Sequence, residues 1–353
     1  MDSKSKHPLL STFIYVICGI QLNPQFSVVI PVYNRCNLLL QAIYSCLRQT
    51  TQSIEIVISD DCSSEDLHSG VESFRDPRIQ YYRNHNRLGA ARNHQEAVSR
   101  ATGAYVICLN SDDLLLPNCL EIAGSALNDR RNVAAAYFSA TYLVGSTVQG
   151  FHEIPDVSFA DDKVFGENAW LEGYHGTSPT FCLFRKSAFD DIGGYRPTLR
   201  FAYDWDLYMR FMKQGGGVAF VPEVLCVYRR HSEQMVNDRA IDGVLDVLDL
   251  WRSPEYSHWS TSTIAHMVLT YCSNRVRNGG GFVPLFRELR RLELKGRIVS
   301  GLPAALFMKV KARIGGPATS PKHYRTPNNV ESAMESARAI LSDSRDVCSS
   351  LFI

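Results

Sequence analysis

The chain has 353 residues, of which 45% are hydrophobic and 21% charged, with a formal net charge of +1. That length can hold more than one domain. The charge balance excludes a nucleic-acid binder driven by bulk charge, so no nucleic-acid partner is expected. The ten cysteines show neither a CxxC pair nor a Cys/His zinc spacing, and read as reduced thiols of a cytosolic chain.

Lys4 and Lys6 precede an apolar run from Leu9 to Ile20. It is too short to span a bilayer, which takes about 20 residues. It lacks a small-residue cleavage site, so it reads as an interfacial anchor or an N-terminal extension. From Phe26 the pattern becomes regular. Phe26–Ile30 reads as a buried strand ended by Pro31, and Asn34 stands where a helix N-cap would, ahead of the apolar positions Leu38, Leu39, Ala42, Ile43, Cys46 and Leu47. A strand is expected at Ile54–Ser59, a short helix at Ser64–Arg75, a strand at Ile79–Tyr82, a helix at Gly89–Arg100, a strand at Ala104–Leu109 and a helix opened by Pro117. Strands alternating with helices predict an α/β fold with a mostly parallel sheet and flanking helices.

Beyond residue 130 the rhythm changes. Strands are expected at Val133–Phe138, Thr141–Val148 and Phe181–Phe184, a short helix near Ser187, a helix at Asp204–Lys213, and a strand at Val218–Tyr228 broken by Pro222. Past Arg239 the chain reads mainly helical, with linkers at 278–281 and 315–329. Leu285, Phe286, Leu289 and Leu292 oppose Arg287, Arg290, Arg291 and Lys295, and a second apolar-basic stretch covers 302–314. Two readings stay open for these basic helices: peripheral membrane contact, or packing on the preceding domain.

Four segments carry chemistry. Asn110-Ser111-Asp112-Asp113 ends a buried strand, and ionised carboxylates are costly to bury unpaired. It is either a solvated acidic turn or a site for a hard cation such as Mg²⁺, at the sheet edge where ligands bind. Asp60 and Asp61 end the second strand, as helix caps or as acceptors for a base N–H and a ribose hydroxyl. Asn86 to Asn93 brings a glycine and basic side chains to a helix entrance, which suits phosphate. Pro31-Val32-Tyr33-Asn34-Arg35 ends the first strand.

In that order PVYNR, ISDDCSS, NRLGAARN and NSDD resemble the successive signatures of family 2 glycosyltransferases. Tyr203 to Arg210 resembles the family's acceptor-side EDWDLWLR element, and Val227 to His231 its YRxH element. The resemblance covers roughly residues 25–235. It implies a GT-A (Rossmann-like) domain over 25–235, with a nucleotide-sugar-binding half at 25–130 and an acceptor half at 131–235. An extension at 1–24 and a mainly helical region at 236–353 flank it. Pro31, Tyr33, Asn34, Asp60, Asp61, Asn86, Gly89, Arg92, Asn93, Ser111 and Asp112 would bind the nucleotide sugar. Asp60 and Asp61 would take the base and ribose, most often of uridine. Asp112, Asp113 and His231 would hold Mg²⁺ or Mn²⁺, and Asp204 would be the general base. The sequence departs from the family pattern at Asn110, where aspartate is usual, and at Cys62, where glycine is usual.

The implied activity is inverting transfer of a sugar from a nucleotide sugar, with a UDP-sugar expected, to a hydroxyl of a glycan or glycolipid acceptor. The setting is surface polysaccharide, lipopolysaccharide or glycolipid assembly, in the cytoplasm or peripherally on the inner membrane face. Its rivals are transfer to a polyprenyl phosphate, whose acceptor is already an anion and requires no base, and a non-catalytic sugar-nucleotide-binding homologue. A dinucleotide-dependent oxidoreductase is disfavoured because no GxGxxG follows the first strand.

Overall fold

The computed structural model describes residues 24–151, 154–155, 164–165, 178–213, 217–231, 234, 240–258, 324–325 and 327–351. The apolar run at 9–20, the linker at 278–281, most of that at 315–329, and the basic stretches at 285–295 and 302–314 lie outside the described residues.

Four parallel strands form the first half: β1 (Phe26–Val32), β2 (Ile54–Asp60), β3 (Ile79–Arg83) and β4 (Tyr105–Cys108). Every residue of β1, β2 and β4 is buried, as expected of parallel strands covered on both faces. Their crossovers carry α1 (Cys36–Leu47), α2 (Leu67–Glu72) and α3 (Ala90–Ser99). The spatial order β3-β2-β1-β4 reverses direction between β1 and β4. Ligands of open α/β sheets bind at the carboxyl ends of strands at such a reversal. The acidic turn leaves β4 there, and the Tyr33–Arg35 loop leaves β1.

The second half extends the same sheet. β5 (Leu114–Leu115) and α4 (Cys119–Asn128) lead into β6 (Ala135–Val144), which turns back as β7 (Thr147–Phe151). Short pieces β8 (Ile154–Pro155) and β9 (Val164–Phe165) precede β10 (Cys182–Arg185), α5 (Lys186–Asp191) and α6 (Tyr203–Lys213). β11 (Val218–Arg230) runs parallel to β6, and α7 (Ala240–Arg252), β12 (Tyr324–Arg325) and α8 (Val330–Leu351) follow. The main sheet runs β3-β2-β1-β4-β10-β6-β11-β5, with β10 antiparallel to both its neighbours.

Four local expectations are corrected. β1 continues through Pro31 to Val32. Val29 O accepts from Leu109 N, so residues 29 and 31 both address the β4 side, where β4 has ended opposite Val29. Pro31 therefore forfeits no ladder bond. Residues 135–144 form one strand, without a break before Thr141, and the turn comes at Gly145 with φ 60°. Pro222 does not break β11; the register shifts between Val221 and Val224 instead. The backbone groups loosened there are taken up by the C-terminal segment. Asn328 N donates to Pro222 O at 2.8 Å, and the Asn329 side chain bonds Val224 N at 2.7 Å and Val224 O at 3.1 Å. Finally, Asn34 does not cap α1, because Arg35 holds the N-cap position.

Ala333, Ala337, Ile340 and Leu341 recur at helical spacing on α8 and are buried in a satellite core with Leu114, Leu116, Leu143, Val148, Val224 and Val227. Leu114 directly follows the acidic turn, so α8 packs beneath it. Truncating Leu341 to alanine removes buried methyls and should lower stability by about 2–4 kcal/mol, measured by denaturant unfolding.

Candidate active site

The acidic turn is held from three sides. Asp113 is fully buried. Its Oδ2 accepts from Asn110 Nδ2 at 3.0 Å and Thr180 Oγ1 at 2.8 Å, and its Oδ1 accepts from Arg229 N at 3.0 Å. Burial, and then the adjacent Asp112 charge, raise the Asp113 carboxyl above the ordinary range, against these three donors, which favour the anion. Asp112 points the other way. Its side chain is 15% exposed, with Oδ2 at 3.0 Å from His231 Nε2 and 3.3 Å from Arg35 Nη1.

β11 explains why these groups meet. Val227 pairs with Leu114 just past the turn. Alternate residues of a strand share a side, so Arg229 and His231 follow Val227 toward the turn. Arg229 Nε also donates to the Asp112 carbonyl at 2.8 Å. The spacing of the YRxH element is thus the spacing that sets one residue to hold the turn and the next but one to face Asp112.

The second acidic pair lies deeper. Asp60 is fully buried, accepting from Ser63 N at 2.9 Å, Tyr81 Oη at 2.6 Å and Arg83 Nη1 at 2.7 Å. Asp61 is 3% exposed and accepts from Leu88 N at 2.6 Å and Gly89 N at 2.9 Å. It thereby fixes the entrance of α3, where Gly89 takes φ 84°. Asn93 is also buried and locks α3 to β2: its Oδ1 accepts from Ser59 Oγ and Asn84 Nδ2, and its Nδ2 donates to Ser59 O. Asn86 and Arg92 are exposed and Ser111 is half-buried. Tyr33 is 37% exposed, with the Arg87 guanidinium 3.8 Å from its ring centroid. Asn34 Oδ1 accepts from Ser64 N at 2.8 Å, joining the loops after β1 and β2. Cys62, at the position where glycine is usual, takes φ 62°, the left-handed region that glycine enters without cost.

Asp204 lies in the first turn of α6, 9% exposed, its Oδ1 accepting from Trp205 N at 2.8 Å. Asp206 is fully buried and committed to the fold, accepting from Arg210 Nε at 2.9 Å and Tyr256 Oη at 3.0 Å. One turn beyond Asp204, on the same helix face, Tyr208 Oη donates to Ser178 O at 3.0 Å, and Ser178 Oγ accepts from Asn110 Nδ2 at 3.1 Å. This relay fixes α6 against the acidic turn. Arg35, Arg229, Thr180, Ser178 and Arg83 are the site residues that sequence reasoning did not single out. Arg35 and Arg229 lay inside the recognised segments, whereas the others act from distant segments.

Among the described residues no three His, Cys, Asp or Glu side chains form a preassembled metal cage. The Asp112–His231 pair nevertheless fits a divalent ion. Neighbouring ligands of an octahedral Mg²⁺ at about 2.1 Å lie about 3 Å apart, the separation seen here. Two protein donors also leave positions for phosphate oxygens.

A family model for glycosyl transferase family 2 matches residues 27–193. Those residues form a glycosyl transferase family 2 domain. Among curated relatives, an uncharacterized glycosyltransferase of Rickettsia typhi is 28% identical over 235 residues, covering 65% of this chain and 71% of that protein. The GalNAc(5)-diNAcBac-PP-undecaprenol beta-1,3-glucosyltransferase of Campylobacter jejuni is 36% identical over 171 residues, covering 48% of this chain and 54% of that protein. Among solved structures, S. aureus TarS 1–349 in complex with UDP superposes with a TM-score of 0.58 at 17% identity, covering 91% of each chain. This chain spans 45% of a longer TarS chain. The Pyrobaculum calidifontis mannosyltransferase PcManGT in complex with GDP-Man and Mn²⁺ gives a TM-score of 0.54 at 17% identity, covering 88% of this chain and 95% of that one. The fold of this glycosyltransferase is therefore GT-A.

One buried base borders the site. His94 on α3 is 6% exposed and packs its ring against Tyr195 and Tyr203. Its Nδ1 lies 2.8 Å from Ala90 O, while Nε2 has no hydrogen-bond partner among the described residues. Burial drives its pKa from 6.5 down to about 4. Between those values the unfolded chain takes a proton that the folded glycosyltransferase refuses, so this contribution is present above pH 6.5 and is lost as pH falls toward 4. His94 should cost the wild type up to about 3 kcal/mol of stability over that window. A His94→Leu variant should lose correspondingly less, as read from urea unfolding at both ends.

Proposed function

We propose that this glycosyltransferase is inverting, and that it moves a sugar from a UDP-sugar to a hydroxyl of a lipid-linked or surface glycan. The observation that carries this reading is the division of the acids. Asp112 and His231 converge at the sheet's reversal point, while Asp204 stands apart on α6. Inverting transfer requires both functions: a group that takes the acceptor's proton as attack proceeds, and a cation beside the departing diphosphate.

Asp112 and His231 would hold Mg²⁺ or Mn²⁺, with Asp113 as the buried anchor behind them. When bound, the ion supplies charge neutralisation for the leaving diphosphate. The PcManGT complex with Mn²⁺ supports this assignment for the shared fold. We assign the nucleoside to the exposed Tyr33 face and the mouths of the loops after β1, β2 and β3. Asp60 and Asp61 hold those loops from beneath and keep acceptor capacity for base or ribose. Asn86, Gly89, Arg92 and Ser111 border the phosphates. Asp204 accepts the acceptor hydroxyl's proton while that oxygen forms the new bond to the anomeric carbon and the bond to the diphosphate breaks. The C. jejuni relative, a glucosyltransferase named for an undecaprenol-linked glycan, supports a lipid-linked acceptor and hence work at the cytoplasmic membrane face. Among the described residues no helix is long and apolar enough to cross a membrane.

A donor screen that reads released nucleoside diphosphate should show turnover with a UDP-sugar that EDTA abolishes and Mn²⁺ restores; full activity in chelator would refute the metal assignment. Asp204→Asn keeps shape and removes basicity, so the transfer rate should fall about 10²–10⁴-fold with donor affinity unchanged. Near-normal transfer by that variant would move the polyprenyl-phosphate reading ahead.

A further inference from the structure

We propose that Arg35 is the resident counter-ion of Asp112, and that a divalent cation must displace it. The inference rests on the metal assignment above. Arg35 Nη1 and His231 Nε2 approach the same oxygen, Asp112 Oδ2, at 3.3 and 3.0 Å. The Arg35 side chain is 31% exposed, so it can leave that oxygen toward the cleft. A guanidinium and a doubly charged ion on one carboxylate oxygen repel each other strongly, so the two partners exclude one another.

The backbone shows that this placement is built. Asn34 and Arg35 take φ 59° and 65°, two consecutive non-glycine residues in the left-handed region. Such conformations persist only where the surroundings over-determine them, and they gather at ligand sites. Here the loop after β2 imposes them. Asn34 N donates to Ser63 Oγ at 2.7 Å, and the two carboxylate oxygens of Glu65 accept from Arg35 N at 3.0 Å and Cys36 N at 2.8 Å. Glu65 thus supplies from 30 residues away the cap that α1 lacks locally. Arg35 consequently spans the two halves of the site, its backbone fixed to the nucleoside-side loop and its guanidinium to the acidic turn.

The consequence is an order of events. A bare cation must compete with Arg35 for Asp112. A cation arriving with a diphosphate offers the displaced guanidinium new anionic oxygens, for which its planar fork is well shaped. Arg35 therefore weakens binding of the cation alone and strengthens binding of the cation–diphosphate complex.

The test is a titration of the full chain with Mn²⁺, following free Mn²⁺ by electron paramagnetic resonance, with and without UDP. R35Q removes the charge, and R35G removes the side chain while suiting the left-handed backbone, so one of them should fold even if the other does not. Either should bind Mn²⁺ alone about two- to fivefold more tightly than wild type, and bind UDP in saturating Mn²⁺ about tenfold more weakly. R35K, which keeps the charge, should match wild type for Mn²⁺ alone. Unchanged or weaker Mn²⁺ binding by R35Q and R35G, with Asp112→Asn abolishing it, would overturn this inference and leave the metal assignment standing. Mn²⁺ binding insensitive to Asp112→Asn would overturn both.

Discussion

A carboxylate with no exposure to solvent, Asp113, ties three segments of the chain together. It takes donors from its own turn, from Thr180 and from the backbone of Arg229. A carboxyl group is tolerated at such depth only when its oxygens are satisfied, so the three segments must arrive together. Once they do, the direction of the neighbouring residue is set. Asp112 faces outward beside His231, and β11 cannot slip by a residue without taking both Arg229 and His231 to the wrong side.

The same division recurs at α6. There Asp206 is buried against Arg210 and Tyr256, while Asp204, two residues earlier, retains some exposure. In each of these two pairs one acid is fully buried and the other is less so. Asp60 and Asp61 differ, because both are buried and both organise loops. They and their neighbours hold the Tyr33–Arg35 and Asn86–Gly89 segments. The satellite core under α8 adjoins the acidic turn, since Leu114 and Leu116 continue directly from that turn into it.

The parallel half of the fold was legible because β1, β2 and β4 are continuous apolar runs separated by helical spacing. The segments that meet at the site were legible by resemblance to a family whose model matches residues 27–193. What local pattern could not show is anything supplied from a distance. Pro222 reads as a strand breaker until Asn328 and Asn329, more than 100 residues away, bond the loosened backbone. Asn34 reads as a helix cap until Glu65 is seen to do that work. Ser139 and Thr141 interrupt the apolar run of β6, yet both are fully buried. Which acid of an adjacent pair faces the cleft was likewise hidden, because Asp112 and Asp113 are chemically identical and differ only in what the folded chain brings to them.

The central claim is that Asp112 and His231 present the cation site while Asp113 stays inside the fold. Anomalous diffraction at the manganese edge, from crystals grown with UDP and Mn²⁺, tests it most directly. One manganese ion should lie in coordination contact with Asp112 Oδ2, His231 Nε2 and the diphosphate, with the three hydrogen bonds of Asp113 intact. An ion bound away from Asp112, or an Asp113 turned out of its pocket to ligate it, would contradict the account.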